Sequence, residues 1–266
     1  MLGLKINHDK CICCKKCMNT CPANLFKVIN GAMCISETPI CIECLHCAAV
    51  CPTEAIELVK SNDNAEVVVH VDDFKWKDST KKTIEEYIVS RRSYRDFNGD
   101  MVSREEIMHA LKVSKWAPSA KNEHPIGYIV IEGKSKMDLI MGHIIDYVKN
   151  NNVSPEIVRL YEQGKNIVMG KASSAIIAYA DQRATNPNTD AALALYSTEL
   201  VLQSNGIGTC WSGYLGDMCN RVDAIREIIN LPKDNKVYGV ILIGYVENER
   251  FLNIPNRIIN TNIKWI

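Results

Sequence analysis

The sequence lacks an excess of charge of either sign, and this bears first on its possible partners. Its 31 lysines and arginines balance 31 aspartates and glutamates, so the formal net charge is zero. A chain without a basic surplus gives no electrostatic reason to expect a nucleic acid or an anionic membrane surface as a partner. We therefore expect neither.

Long apolar runs are also missing. The N-terminal stretch MLGLKINHDK has no extended apolar core of the kind found in secretory signal peptides. No other stretch of the sequence is apolar for long enough to span a bilayer. A cytoplasmic location is the resulting expectation.

Two glycine-rich nucleotide-binding patterns are absent as well. In GIGTCWSG, Trp211 occupies the place of the third glycine that the pattern G-x-G-x-x-G requires. The sequence has no P-loop either. We therefore expect no separate dinucleotide-binding domain.

Cysteine, in contrast, is abundant and concentrated: ten of the twelve lie before residue 52. They follow C-x2-C-x2-C-x3-C twice, with Pro22 and Pro52 directly after the last cysteine of each run. The first run is Cys11, Cys14, Cys17 and Cys21, and the second is Cys41, Cys44, Cys47 and Cys51. The offset is 30 residues at every position, which indicates an internal duplication.

The duplication also identifies two cysteines that fall outside the pattern. When one copy is laid over the other, Cys13 falls on Glu43, and Cys34 falls on Asn64. We interpret Cys13 and Cys34 as small packed thiols, not as ligands.

The spacing is typical of iron–sulfur ligands. Three closely spaced thiolates reach different irons of one cubane cluster, and the cysteine before the proline ligates the other cluster. The predicted ligand sets are Cys11, Cys14, Cys17 and Cys51 for the first cluster, and Cys41, Cys44, Cys47 and Cys21 for the second. A structural zinc site is an alternative, but it leaves the third cysteine and the Cys-Pro pairs unexplained. A disulfide knot is another, although no export signal supports it.

These runs resemble a bacterial ferredoxin with two [4Fe-4S] clusters, over residues 1–62. Residues 63–82 mix polar residues with one short alternating run, which is typical of a linker. The sequence therefore predicts a small N-terminal iron–sulfur domain, a linker, and a second domain over residues 83–266.

The second domain has the pattern of an α+β fold. Apolar residues recur at helical spacing after Ile84 and after Ile107, and Ser103 with Glu106 predicts a capping box. Further helices are predicted at 136–150, 154–170, 189–205 and 221–230. The runs IGYIVIE, SSAIIAYA and VYGVILIGY predict buried strands.

Four motifs in order along residues 83–266 resemble the nitroreductase-like flavoprotein family: RRSYRDF, APSAKNEHP, GIGTCWSG and IGYVENERFLNIPNR. The resemblance implies an α+β fold with a mixed central sheet flanked by helices, and FMN bound at the interface of a homodimer. With the N-terminal segment, the chain looks like a ferredoxin–nitroreductase fusion.

The resemblance also implies which residues bind FMN. Arginine suits bidentate contacts to a phosphate, and the segment RRSYR offers several such donors. The implied FMN contacts are Arg91, Arg92, Ser93, Arg95 and Arg257, then Pro118, Ser119, Ala120 and Asn122, then Gly208, Thr209, Cys210, Trp211, Ser212 and Gly213. For the first group the alternative is a solvated basic face, for the second it is a helix-ending turn, and for the third it is a tight turn.

Two positions depart from the family pattern. His124 stands where many relatives carry glutamine, beside the expected substrate pocket, and is either structural or a proton donor. Asn253 replaces a basic residue, for which Arg250 could compensate. Cys210 is interpreted as packed beside the flavin, because no activating base is recognisable.

The expected function is that of a flavin-dependent oxidoreductase. FMN would reduce nitroaromatic or quinone-like compounds, while the two clusters pass single electrons to or from it. NAD(P)H, visiting the substrate pocket by turns, or an external ferredoxin is the expected donor. The alternatives are a redox-relay module for a protein partner, or a related reaction such as dehalogenation, ene reduction or flavin fragmentation.

Overall fold

The structure, a computed structural model, describes residues 3–36, 41, 45–59, 68–69, 84–120, 123–246, 251, 253–255 and 264–266. Its elements are, in chain order, β1 (Gly3–Ile6), α1 (Lys16–Thr20), β2 (Phe26–Ile29), β3 (Ala32–Ile35), α2 (His46–Ala49), β4 (Ile56–Val59), β5 (Val68–Val69), α3 (Ile84–Ser90), α4 (Arg104–Ser114), β6 (Gly127–Glu132), α5 (Lys134–Asn151), α6 (Pro155–Glu162), β7 (Ser174–Asp181), α7 (Pro187–Ser204), β8 (Gly208–Trp211), α8 (Gly213–Arg221), α9 (Asp223–Ile228), β9 (Asn235–Gly244) and β10 (Ile254–Pro255).

The chain divides into two compact units. The first contains Met1–Phe74 and Glu249–Ile266, and the second contains Lys75–Asn248. The C-terminal residues, which the sequence assigns to the larger domain, are therefore grouped with the N-terminal ones. The Asn253 amide donates to the Ala49 carbonyl at 3.2 Å within this first unit.

The first unit preserves the duplication seen in the sequence. Its two strand pairs, β1–β4 and β2–β3, are both antiparallel. Lys15 and Leu45, which precede α1 and α2, both have left-handed backbones with φ of 63° and 56°. Asn24 and Glu54 follow the two cysteine runs, each at φ 51°. Residues 30 apart thus share strained conformations that non-glycine residues adopt rarely.

The core of the first unit is small and contains cysteine. Cys17, Cys47 and Cys51 are buried in it among Phe26 and Met33, and other apolar side chains complete it. A core of this size usually needs a metal or covalent cross-link to hold it.

The second unit is built on a four-stranded sheet in the order β6-β7-β9-β8. The inner strands β7 and β9 are largely buried, because helices cover the sheet. Ile107 and Leu111 of α4 and Leu195 of α7 pack against Ile176 and Ile241 of the sheet. Every pair in the described part of this sheet is antiparallel, so the parallel pair implied by a mixed sheet is not among them.

The predicted start of α4 is confirmed. Ser103 accepts a hydrogen bond from the Glu106 amide at 3.2 Å, and the Glu106 carboxylate accepts one from the Ser103 amide at 3.2 Å. This is the reciprocal capping box, which satisfies two amides at the helix start. Tyr245 donates to the same carboxylate at 3.0 Å.

Several helices differ from the prediction. Helix α6 ends at Glu162 and not near residue 170, since Gly164 is left-handed at φ 78° and stops it. Helix α8 is not predicted, because Gly213 and Gly216 weaken its helical pattern. The helix forms because it packs closely against β9. At Gly216 it lies so near this strand that a Cβ there would be 3.5 Å from the Val240 side chain.

Helices in the described part of the chain are too short or too polar to cross a membrane.

Candidate functional site

The first predicted cluster set is drawn together in the structure. Burial raises the pKa of Cys17 to about 12, a hydrogen bond with the Met18 backbone opposes this, and the thiolates of Cys51, Cys14 and Cys11 raise it further. These effects place the thiols of Cys51, Cys14 and Cys11 near Cys17. Cys51, from the second run, thus lies near the first run, and the ligation of one cluster by these four cysteines stays a prediction.

The second predicted set is described in part. Cys47 is buried, and Cys21 and Cys41 are half-buried against the same core. Cys44 lies outside the described residues.

The last cysteine of each run accepts the same backbone hydrogen bond. The Leu25 amide donates to Cys21 Sγ at 3.5 Å, and the Ala55 amide donates to Cys51 Sγ at 3.2 Å. Each donor lies four residues after its acceptor. The last cysteine of each run therefore has the same local hydrogen-bonding partner.

Among the described residues, no three His, Cys, Asp or Glu side chains meet at one ion-sized site, and the described cysteines are free thiols. Iron–sulfur ligation by these cysteines, with a structural zinc site as its alternative, stays a prediction.

The two extra cysteines also lie in the first unit. Cys13 lies at a left-handed φ of 53° and is half-buried, packed against the core. The Cys34 thiol donates to the Ala32 carbonyl at 3.7 Å within its own hairpin. Their interpretation as packed thiols stays a prediction.

In the second unit, the basic segment and the glycine-containing segment meet. The Tyr94 amide donates to the Thr209 carbonyl at 2.8 Å. This bond places Ser93 and Arg95 beside β8, together with Cys210. Two motifs more than a hundred residues apart are thus brought into one site.

The four residues of the basic segment do not share one role. Arg91, Ser93 and Arg95 are half-buried, and an Arg95 guanidinium nitrogen donates to the Ser93 carbonyl at 3.2 Å. Arg92 is only 3% exposed, and its guanidinium donates to the Val89 carbonyl at 2.6 Å and to the Arg91 carbonyl at 2.7 Å. Arg92 therefore holds the end of α3, and it is buried where Arg91, Ser93 and Arg95 are partly exposed.

The glycines of the second segment also differ in what they do. A Cβ on Gly208 would lie 2.8 Å from the Val246 side chain and 3.1 Å from Tyr94 Cβ, so tight packing explains this glycine. A Cβ on Gly213 would meet nothing within 4 Å. Gly213 begins α8 and faces open space, as a residue beside a bound flat ring needs to.

Glu199 lies at the centre of a hydrogen-bond network behind these segments. It is 1% exposed, in the middle of α7. Its carboxylate accepts from Arg91 at 3.3 Å, from the Thr209 hydroxyl at 2.8 Å and from the Trp211 indole at 2.9 Å. Sequence reasoning missed this residue, because a single glutamate in an alanine- and leucine-rich helix gives no sign of its neighbours.

Cys210 lies within the same charged environment. Burial raises the pKa of its thiol, the positive charges of Arg95 and Arg91 oppose this, and the charge of Glu199 adds to it. A buried thiol with a raised pKa is a poor nucleophile near neutral pH. The structure thus agrees with the interpretation of Cys210 as packed.

The segment that contains Pro118, Ser119 and Ala120 is fixed to the start of α7. The Ala120 amide donates to Asp190 at 2.9 Å, and Asp190 is buried. The Ser119 hydroxyl accepts from the amide of His124, which has a left-handed φ of 45°. Asn122 lies outside the described residues, as do Arg250 and Arg257.

The chain is similar to known proteins in both of its parts. A model of the nitroreductase family matches residues 88–245. A protein of Archaeoglobus fulgidus named for NADH dehydrogenase or NAD(P)H nitroreductase activity is 27% identical over 168 residues, which is 61% of this chain and 85% of that protein. A ferredoxin of Methanothermococcus thermolithotrophicus is 36% identical over 56 residues, which is 20% of this chain and 93% of the ferredoxin.

Solved structures show the same fold. A nitroreductase with bound FMN from Bacteroides fragilis has a TM-score of 0.59 at 19% identity, covering 70% of this chain and 100% of that one. One from Desulfitobacterium hafniense, also with bound FMN, has a TM-score of 0.58 at 21% identity, covering 68% and 97%.

Proposed function

This chain belongs to the nitroreductase family, with a ferredoxin-like segment at its N-terminus, and from that premise we propose that it uses FMN to reduce nitroaromatic or quinone-like compounds. It is a flavin-dependent oxidoreductase. The observation that carries the proposal is the hydrogen bond from the Tyr94 amide to the Thr209 carbonyl, at 2.8 Å. It brings the arginine donors and the open glycine segment to one place.

The residues at this place fit FMN. The Arg91 side chain is 20% exposed and can offer guanidinium N–H groups to a phosphate, as can Arg95, and Ser93 adds a hydroxyl. The open space at Gly213 lets the backbone approach a flat ring closely. Arg91, Ser93, Arg95, Trp211 and Gly213 are therefore the proposed FMN contacts, with Pro118, Ser119 and Ala120 approaching the partner's ring, and with Asn122 and Arg257 proposed from the resemblance alone. Gly208, Thr209, Cys210 and Ser212 are buried and hold this segment in place.

When bound, FMN supplies an electron carrier that exchanges electrons singly or in pairs. The protein's part is to bind and orient. Arg91 and Arg95 place positive charge where a negatively charged ring or phosphate is held. Burial of Cys210 in its protonated form keeps a reactive thiolate away from the site.

The N-terminal cysteines are proposed to hold two [4Fe-4S] clusters that pass electrons to or from the flavin. The neighbourhood of Cys17, Cys14, Cys11 and Cys51 supports the first ligand set. The equivalent N–H···S bonds at Cys21 and Cys51 give the last cysteine of each run the same local surroundings. For the electron donor we propose NAD(P)H, after the name of the Archaeoglobus relative, with an external ferredoxin as the other source to test.

Anaerobic spectroscopy of the isolated full chain tests the proposal. The protein is expected to release FMN on denaturation, and to lose both flavin and iron–sulfur absorbance on addition of NADH, NADPH or reduced ferredoxin. A nitroaromatic compound should then restore both bands with the formation of reduced product.

Three outcomes would count against it. Absence of bound or reconstitutable FMN would remove the flavin site. Reduction of the clusters without turnover of any nitro compound or quinone would favour a relay module. Product from halogenated or flavin substrates alone would point to another reaction of the superfamily.

A further inference from the structure

We propose that Glu199 is a positioning residue that fixes both the arginine that binds FMN and the tryptophan beside it. The inference rests on the proposed function, because Arg91 is a proposed FMN ligand. Glu199 itself is too deeply buried to touch a ligand, at 1% exposure. It acts through the groups that it holds.

The two carboxylate oxygens of Glu199 have separate tasks. Oε1 accepts from Arg91 Nη1 at 3.3 Å and from Thr209 Oγ1 at 2.8 Å. Oε2 accepts from Trp211 Nε1 at 2.9 Å. One side chain on α7 thus connects Arg91 of the basic segment to Thr209 and Trp211 of β8.

Gln203 extends this network, and it donates to Glu199 Oε1 at 3.4 Å. An ionised carboxylate only accepts, so the Thr209 hydroxyl must donate to Glu199 and accept from Gln203 Nε2 at 2.6 Å. The same Gln203 nitrogen donates to the Arg92 carbonyl at 2.7 Å, and Gln203 Oε1 accepts from the Arg92 amide at 3.3 Å. The network therefore fixes the backbone at Arg92 as well as the side chain at Arg91.

The ion pair leaves part of Arg91 available. A guanidinium has five N–H donors, and Glu199 accepts from one nitrogen at the buried end. The side chain is 20% exposed against 1% for its partner, so the guanidinium spans the buried network and the open site. Among the described residues no second acid pairs with Arg91, which leaves donors for an anionic ligand.

Trp211 is held in a corresponding way. Its indole nitrogen is bound to Glu199 while the residue remains 37% exposed, so its ring presents apolar surface at a fixed angle. Gly213, with open space around it, follows two residues later. Glu199 thus sets an anion contact and an aromatic contact together.

Only a carboxylate can serve both groups. A glutamine at 199 has the same shape but presents one oxygen and one NH2 group. Whichever way the amide turns, either Arg91 or Trp211 faces a donor, and a buried donor facing another donor is costly. The isosteric variant therefore separates the positioning role from simple filling of space.

A double-mutant cycle on the full chain tests this. In Glu199→Gln, FMN binding to the apoprotein should weaken about tenfold, the usual effect of losing a bond to a charged group. In the Arg91→Ala background the same change should have little further effect, because the glutamine amide can then turn its oxygen to Trp211 with no arginine left to face its NH2 group. Glu132→Gln, which breaks the exposed pair with Arg104, is the matched control and should leave FMN affinity unchanged.

A second readout does not depend on FMN. The Trp211 emission, obtained by subtracting the spectrum of a Trp211→Phe variant, should shift in apo Glu199→Gln and stay unchanged in Glu132→Gln. If wild-type protein binds no FMN, the proposed function fails, and this shift still decides the role of Glu199 in holding Trp211.

Two results would overturn the inference. One is an equal loss of FMN affinity from Glu199→Gln with and without Arg91, which would indicate an effect through the fold alone. The other is unchanged FMN affinity together with an unchanged Trp211 emission. If Glu199→Gln does not fold, Glu199→Asp takes its place, because it keeps the charge but withdraws the carboxylate by one methylene. It is expected to weaken FMN binding in the same Arg91-dependent way. Full FMN affinity of that variant would contradict the proposal.

Discussion

At the scale of residues, position within the fold decides what identical side chains do. Arg91 and Arg92 are neighbours in sequence, yet Arg91 reaches the candidate site while Arg92 is buried and holds the end of α3. The same holds for cysteine. Cys14 acts electrostatically on Cys17, whereas Cys13 packs against the core from a left-handed position.

This difference between cysteines gives a prediction at the same scale. Cys14→Ser should lower the iron content of anaerobically purified protein by about half, since one of two clusters loses a ligand. Cys13→Ser, one residue away, should leave iron content unchanged. Iron and inorganic sulfide analysis per chain measures both, and equal losses would refute the ligand assignment.

At the scale of elements, the short strand β8 and the helix α8 form the candidate site, and each begins with a glycine. Gly208 opens β8 against Val246 and Tyr94, while Gly213 opens α8 beside empty space. The sequence predicts neither α8 nor the different tasks of the two glycines. Both follow from neighbours that lie far away along the chain.

Alanine at each glycine should therefore give opposite results. Gly208→Ala is expected to lower the free energy of unfolding by about 2 kcal/mol, because its new Cβ would lie 2.8 Å from the Val246 side chain. Gly213→Ala should leave the unfolding free energy unchanged or slightly higher, but weaken FMN binding, since the methyl group enters the space proposed for the ring.

Denaturant unfolding of the apoprotein and FMN titration separate the two effects. A Gly213→Ala protein with full FMN affinity would place the ring elsewhere. A Gly208→Ala protein of unchanged stability would contradict the packing explanation.

At the scale of the whole molecule, the proposed site needs a second copy of the chain. The second unit leaves large apolar side chains in contact with solvent, among them Trp116 at 89% exposure, together with Ile88 and Met108. We propose the homodimer that the family resemblance implies.

Sedimentation equilibrium of the FMN-loaded protein should therefore give twice the chain mass of 29.9 kDa. Dilution that dissociates the dimer should release FMN, because each site is completed by the partner chain. A monomer that retains FMN would contradict the shared site.

The sequence by itself determined the chemistry of each half. The spacing of the cysteines, repeated at an offset of 30, indicates iron–sulfur ligation because ligand spacing is a local property of the chain. The capping box at Ser103 and the strands β6, β7 and β9 were predicted for the same reason: local pattern specifies them. The predicted burial holds for β7 and much of β9, whereas β6 lies at the sheet edge and is half-buried.

Tertiary structure alone decided how those pieces meet. It placed Tyr94 on Thr209, and put Glu199 between Arg91 and Trp211. Such pairings depend on which faces of separate elements pack together, and a buried carboxylate is stable only once its donors are in place. No local pattern around Glu199 carries that information, because Arg91 lies in the basic segment and Thr209 and Trp211 lie on β8.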